Sequence, residues 1–388
     1  MIAWCCHMQY PNGSLRLPFV VLHVAPEAPH AVARTGVEPV ISALRGLRPR
    51  PLDERAARET YCSAVVTPAF DTVAPGVRRI LLPLPFALKA VNVFLVEGAN
   101  GWGLVDSGLH TPDAERAMGN ALAEAGISWR DVKRLFVTHL HPDHLGMAGT
   151  FERAGTEVVM HEPEIAEARK NWSADHLRMD ANFAWFARHG MPPDVDDGVR
   201  KAWLETRTQV DAVERVRGVS DGETVDLAER VLRLIWTPGH TDYHAVLMDE
   251  ADGVLFAGDH VLPRITSNIG LFPHSRNDPL GDYLGALRRI VALPIRRVLP
   301  AHGEPFDDLS GRVQQILAHH AERLDACLNA IGPSGRDAYA ICLALFPRLR
   351  SAHDERFALA ETLAHLRHLE LGGKVTSQDG APVRWRTS

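Results

Sequence analysis

The stretch Thr138-His139-Leu140-His141-Pro142-Asp143-His144-Leu145-Gly146 follows the apolar run Leu135-Phe136-Val137 and places three histidines and an aspartate within six residues. Imidazole and carboxylate are ligands that suit zinc, iron or manganese. His139 and His141 alternate with Leu140, so their rings leave one side of an extended turn together. Asp143 and His144 follow where the chain bends toward a helix. One short segment can therefore serve two neighbouring metal ions. A histidine-rich surface turn is the competing reading of the run in isolation. Catalytic metal sites draw ligands from several elements, so the discriminating feature is the presence of further His and Asp residues at strand ends.

Such residues recur in order along the chain. Gly103-Leu104-Val105-Asp106-Ser107-Gly108 lies upstream. Thr237-Pro238-Gly239-His240 follows Val231 to Trp236, Ala257-Gly258-Asp259-His260 follows Gly253-Val254-Leu255, and Ala301-His302-Gly303 follows Arg297-Val298-Leu299. Each alone reads as a turn; in series they read as ligands delivered by successive strands.

This ordered set resembles the metallo-beta-lactamase superfamily. The resemblance implies an α/β fold, a four-layer αβ/βα sandwich, with a dinuclear centre between the sheets. It implies that His139, His141 and His240 bind one ion and that Asp143, His144 and His302 bind the other. Asp259 would bridge them, and Asp106 would orient the histidine loop through hydrogen bonds. An aspartate at 259 in place of a cysteine resembles the glyoxalase II and lactonase branches. The implied cofactor is two divalent metal ions, zinc first, with iron or manganese accepted by the same ligands. Two close metal ions can lower the pKa of a shared water from ~15.7 toward ~7, which supplies a nucleophile for hydrolysis. Asp143, besides being a ligand, would take the water's proton, so Asp143 and Asp259 are the expected catalytic residues.

Composition agrees with a soluble enzyme. The 388 residues suffice for two domains. A net charge of −6 argues against broad attraction to nucleic acid or to a membrane surface. The five cysteines show no Cys-x-x-Cys pair, so neither a disulfide framework nor a zinc ribbon is indicated, and a reducing, cytoplasmic setting is expected. No apolar run approaches the ~18 residues of a membrane span.

Three domains are expected. Residues 1–74 read as a leader without helical or strand periodicity, disordered or lying upstream of the true start near Val65 to Pro75. The segment Arg34 to Gly46 resembles a peptide produced by mistaken translation of a transfer-RNA gene. Residues 75–306 form the metallo-beta-lactamase domain, interrupted by a helical insertion at about 162–217. Within the insertion, Glu162 to Trp172 and Asp197 to Arg217 read as helices, and Trp172, Phe183, Trp185, Phe186 and Trp203 are candidates for a lid or pocket wall as well as for ordinary core. The loop after Asp259 offers Arg264, His274 and Arg276 as pocket residues, the arginines for an anionic part of the substrate. His260 and His244 are candidates for lining the pocket or orienting a ligand.

Residues 307–388 read as three helices followed by a hairpin, a winged-helix-like appendage. Thr362 to Leu369 resembles the C-terminal helix of a branch that includes a mitochondrial endoribonuclease and fungal polyketide thioesterases. From Pro333 onward eight Lys or Arg stand against six Asp or Glu, too small a surplus for a phosphate-binding face. A packing or dimerisation module that closes the pocket is the preferred reading. The expected activity is hydrolysis of a small ester, thioester or lactone, with cleavage of single-stranded RNA as the alternative.

Overall fold

The computed structural model describes residues 69–86, 88–172, 177–349 and 351–388. Most of the stretch read as a leader, with the Arg34 to Gly46 segment, lies outside the described residues.

Two sheets face one another. The first holds seven strands in sequential order: β1 (Phe70–Ala74), β2 (Val77–Pro83), β3 (Ala90–Gly98), β4 (Gly101–Val105), β5 (Val132–Val137), β6 (Glu157–His161) and β7 (Val216–Val219). Its first four strands are antiparallel and the last four parallel. The second holds five in the order β12 (Arg297–Pro300), β11 (Val254–Gly258), β10 (Ala245–Asp249), β9 (Arg230–Trp236) and β8 (Thr224–Leu227).

Side-chain alternation explains the layering. In β3, Phe94 and Val96 face the second sheet and pack with Leu232, Leu234, Leu247 and Phe256, whereas Val93 and Leu95 face outward. That outer face is covered by α1 (Pro112–Glu124), α2 (Pro142–Leu145) and α3 (Ala148–Ala154), through Met118, Leu122, Leu145 and Phe151. On the other side, Val246, Met248, Leu255 and Ala257 are covered by α7 (Pro279–Val291), α8 (Leu309–Ile331) and α10 (Ala352–Leu371). Strands buried on both faces read as continuous apolar runs, as these do. The result is the four-layer αβ/βα sandwich.

Between β6 and β7 the chain forms α4 (Glu162–Asn171), α5 (Leu177–Arg188) and α6 (Pro193–Arg207). The last helix ends ten residues earlier than its apolar pattern indicated. Past Thr208 the backbone is claimed by the histidine loop's neighbours: His110 N–H donates to Gln209 O (3.0 Å) and Asp211 N–H to Gly146 O (2.8 Å). Residues 216–219 then take the seventh place in the sheet.

The expected leader boundary at residue 74 also shifts. Phe70–Ala74 pairs with β2, and Asp71 holds the buried Arg79 guanidinium (Nε–Oδ1 2.9 Å), which also reaches Glu304 (2.7 Å).

The C-terminal segment runs α8, β13 (Arg336–Asp337), α9 (Ala338–Leu345), α10, β14 (Val375–Gln378) and β15 (Arg384–Thr387). The hairpin gains a third strand, β13, that the sequence pattern did not indicate. Ala358, Leu359, Leu363 and Leu366 of α10 share one core with α7 and α8, so this helix belongs to the body of the protein. Among the described residues no helix is long and apolar enough to cross a membrane.

Candidate metal centre

Five strands end on the same edge of the sandwich, and each delivers a polar residue there. Asp106 follows β4, the histidine run follows β5, His240 follows β9, and Asp259 and His302 follow β11 and β12. Ligand atoms come together in three groups, each within 4.8 Å: His139, His141 and His240; His139, His144 and Asp259; and Asp143, His144 and His302. His141 Nδ1 lies 2.9 Å from both His139 Nε2 and His240 Nε2. His302 Nε2 lies 3.3 Å from Asp143 Oδ2. Asp259 reaches both sides: Oδ2 is 3.3 Å from His240 Nε2, and Oδ1 is 3.4 Å from His302 Nε2 and 3.6 Å from His144 Nε2.

The distal nitrogens settle how the rings are presented. His144 Nδ1–H donates to Asp106 Oδ2 (2.8 Å), His240 Nδ1–H to Asn268 O (2.9 Å), and His302 Nδ1–H to Ala90 O (3.0 Å). His139 Nδ1–H donates to the Thr138 hydroxyl (3.0 Å), which itself donates to Asp106. In each case Nε2 is left facing the centre, the arrangement that outer hydrogen bonds impose on metal-binding histidines. Both oxygens of Asp143, Asp259 Oδ1, and Nε2 of His144 and His302 are buried without a hydrogen-bond partner. Buried polar atoms seldom stay unpartnered, and a cluster of five that converge on one point fits a metal ion as the missing partner.

Charge completes the description. Burial, then the neighbouring imidazoles, holds His139 and His141 well below their ordinary range, as neutral donors. Burial also opposes charge on His144, but Asp106, Asp143 and Asp259 outweigh it and hold the ring well above its ordinary value. Asp259 is held well below the carboxylate range, burial being overcome by His302 and His144.

Two backbone features shape the loops. Asp106 has φ 61°, a left-handed conformation that Asp tolerates better than most residues, and it aims the carboxylate back at Thr138 N–H (2.8 Å) and His144. Gly239 has φ +130°, and a Cβ there would sit 2.4 Å from Tyr283 Cβ, so only glycine admits the turn that presents His240.

The cleft above the centre is lined by His141 and His240, by Trp172, Arg178 and Trp203 of the insertion, by Asn268, Phe272 and His274 of the loop after Asp259, and by Arg356 and Phe357 of α10. Trp172 and Trp203 stack at 6.3 Å, and Trp172 Nε1–H donates to Leu140 O (2.9 Å). Of the insertion's other aromatic residues, Phe183 and Phe186 are buried in core clusters and Trp185 packs on His189.

Three pocket expectations are corrected. His260 is fully buried against Tyr283 (ring centroids 5.4 Å) and does not line the cleft, because the turn after Asp259 points it inward. Arg264 is exposed and outside the cleft. Arg276 is engaged by Asp282 (2.6 Å) and lies over the Trp236 ring, also outside it. His274 does line the cleft. His244 orients rather than lines: Nδ1–H donates to Thr237 Oγ1 (2.8 Å) and Nε2 accepts Asp259 N–H (3.2 Å), fixing the backbone of the aspartate.

Glu164 joins the site without a signal in the sequence. This buried carboxyl of α4 accepts from Leu140 N–H (2.8 Å) and from the Thr241 hydroxyl (2.9 Å), tying the histidine loop to the His240 loop. Burial pushes it up to about 8, so it is protonated at neutral pH. An acid in the first turn of a helix is an ordinary sequence feature, and nothing local marked this one.

A fold of two sheets between helices, with His and Asp ligands gathered at one edge, defines a metal-binding α/β sandwich. The chain belongs to the metallo-beta-lactamase superfamily: the description "Metallo-beta-lactamase superfamily" matches residues 87–302, and "Metallo-beta-lactamase-like, C-terminal domain" matches residues 324–387. It is 29% identical over 326 residues to the probable metallo-hydrolase YqjP of Bacillus subtilis, covering 79% of this chain and 97% of that one. It is 26% identical over 248 residues to the acyl-coenzyme A thioesterase MBLAC2 of Homo sapiens, covering 61% of this chain and 80% of that one. Among solved structures, the metallo-beta-lactamase family protein TTHA1429 from Thermus thermophilus superposes with a TM-score of 0.75 at 37% identity, covering 82% of this chain and all of that one.

Proposed function

We propose that this metallo-hydrolase cleaves acyl thioesters with two divalent metal ions, zinc by the character of its donors. His139, His141 and His240 hold one ion; Asp143, His144 and His302 hold the other. The observation that carries the dinuclear reading is the division of Asp259, whose Oδ2 faces His240 (3.3 Å) while Oδ1 faces His302 (3.4 Å). When bound, such a pair supplies Lewis acidity that activates water at neutral pH and polarises a carbonyl. The chain's own residues do the rest. Asp143 presents the unpartnered, buried Oδ1 beside the centre and takes the proton released by the nucleophile. Its carboxyl is held below the usual range: burial raises it, but His144 and His302 outweigh burial. Asp106, Asn268 and Ala90 hold the imidazoles in their tautomers.

Thioester selectivity is supported by two features. The cleft carries the stacked Trp172 and Trp203 as an apolar wall for an acyl chain. The relative from Homo sapiens bears the name of a thioesterase. Cleavage of RNA is less well supported, because the chain carries a net charge of −6 and its C-terminal stretch only eight Lys or Arg against six Asp or Glu, too small a surplus to hold a phosphate backbone.

The test is a parallel assay of zinc-loaded protein on an acyl thioester, a lactone and a single-stranded RNA. Thioester turnover should exceed the other two. Asp259→Ala should lower it by at least ~100-fold and reduce bound zinc below two equivalents, with the circular dichroism spectrum unchanged. Faster cleavage of RNA, or full turnover by Asp259→Ala, would overturn the reading.

A further inference from the structure

Arg356 projects from α10, the helix of the C-terminal segment, into the wall of the cleft that also exposes His141 and His240. It is half-buried, its guanidinium lies over the Phe357 ring at 4.2 Å, and its Nε is buried with no hydrogen-bond partner. Buried guanidinium groups are ordinarily paired with a carboxylate. Here burial alone acts on the group and pulls it down to about 10, so it remains charged at neutral pH with no neighbouring anion.

The other ionisable residues of the cleft do not supply one. Glu167 is taken by Arg178 (2.5 Å) and Lys170 (3.0 Å). Glu164 is engaged with Leu140 and Thr241 and is pushed up by burial. Asp242 accepts from Arg276 N–H (3.1 Å). His274 is pulled down to about 4 by burial and is neutral. Arg356 is therefore the cleft's one cation without a carboxylate partner among the described residues, in a lining that also holds Trp172 and Trp203.

We propose that Arg356 holds a phosphate group on the leaving-thiol arm of the substrate. This rests on the thioesterase reading. A guanidinium with free donors recognises phosphate through paired hydrogen bonds, and its aromatic support keeps the planar group oriented. The aromatic residues of the same cleft then receive the acyl side, with His141 and His240 of the metal centre exposed in that lining. Because Arg356 sits on α10, the C-terminal segment is part of the substrate site, and α10 contributes selectivity to chemistry performed entirely by the sandwich.

The experiment compares wild type, Arg356→Gln and Arg356→Lys, each zinc-loaded, on three thioesters of one acyl group. These are acetyl-coenzyme A, acetyl-4′-phosphopantetheine and uncharged acetylpantetheine. Arg356→Gln should raise KM for the phosphorylated substrates by about ten- to a hundredfold, the loss of one hydrogen-bonded charge contact, with kcat changed less than about twofold. Acetylpantetheine should be unaffected, and Arg356→Lys should recover most of the loss. A loss confined to acetyl-coenzyme A places the recognised phosphate on the nucleotide; a loss on both places it on the shared arm. Binding of S-ethyl-coenzyme A, a thioether that cannot be hydrolysed, is measured by calorimetry on the same proteins. Equal affinity for wild type and Arg356→Gln overturns the proposal whatever the activities. Weaker binding by Arg356→Gln when no thioester is hydrolysed leaves the phosphate site standing and removes the thioesterase reading. An equal rise in KM on all three substrates would show a merely structural role and overturn it as well.

Discussion

On the proposed dinuclear reading, Asp106→Asn is a nearly isosteric change that should weaken the binding of one metal ion and spare the other. The wild-type carboxylate accepts on both oxygens: Oδ1 from Thr138 N–H (2.8 Å) and Oδ2 from His144 Nδ1–H (2.8 Å). An amide has one acceptor and one donor group, so it satisfies one of these donors and opposes the other. Turning the amide nitrogen toward Thr138 N–H would leave a buried backbone donor unpaired, at a cost of about 1–3 kcal/mol. Turning it toward His144 is relieved when the imidazole moves its proton from Nδ1 to Nε2. That proton then occupies the nitrogen which faces Asp143, Asp259 and His302. Loss of a supporting hydrogen bond of this kind costs ~10- to 100-fold in metal affinity, or about 1.4–2.7 kcal/mol. Chelator competition with zinc should show that weakening for one equivalent only. The equivalent bound by His139, His141 and His240 should change by less than about threefold, since Thr138, through which Asp106 reaches His139, keeps its hydroxyl. Equal weakening of both equivalents, or of neither, would refute the argument that Asp106 acts by selecting the His144 tautomer.

Two further outcomes are expected. Glu361 is pushed up to about 7 by burial and accepts from Asn268 Nδ2 (3.0 Å), whose carbonyl in turn receives His240. The folded chain keeps this proton to higher pH than the unfolded chain, so Glu361 weakens stability as pH rises from the ordinary carboxylate range to about 7. Glu361→Gln retains the acceptor and removes the titration; its advantage over wild type in urea unfolding should grow by about 2 kcal/mol between pH 5 and pH 8, and an advantage independent of pH would contradict the assignment. Glu164→Ala unties the two ligand loops and leaves Leu140 N–H without its acceptor. It should destabilise the protein by about 1–3 kcal/mol in chemical denaturation and weaken zinc binding at the His139–His141–His240 group, whereas unchanged zinc affinity would show that the loops hold their positions without it.

The residues that gather at the candidate centre were legible in the sequence because each stands within a few residues of the end of an apolar strand, so a short local pattern carries both the element and the residue that follows it. Strand alternation likewise announces which residues fill the sandwich. The cleft is not written that way. Arg264 and Arg276 sit on the expected loop, yet one faces solvent and the other is spent on Asp282. The helix expected from Asp197 to Arg217 runs instead from Pro193 to Arg207, and the residues that follow it hydrogen-bond to the site loops.

Local order along the chain thus announced the candidate ligands and the layered fold, since each strand and the polar residue after it lie within a few positions of one another. Only the tertiary structure decided what surrounds them. Glu164, Trp203 and Arg356 come from an insertion and a distant C-terminal helix, and all three line the cleft that exposes His141 and His240. Glu164 meets Leu140 and Thr241, and Trp203 meets Trp172, across tens of residues, a separation over which no sequence periodicity survives.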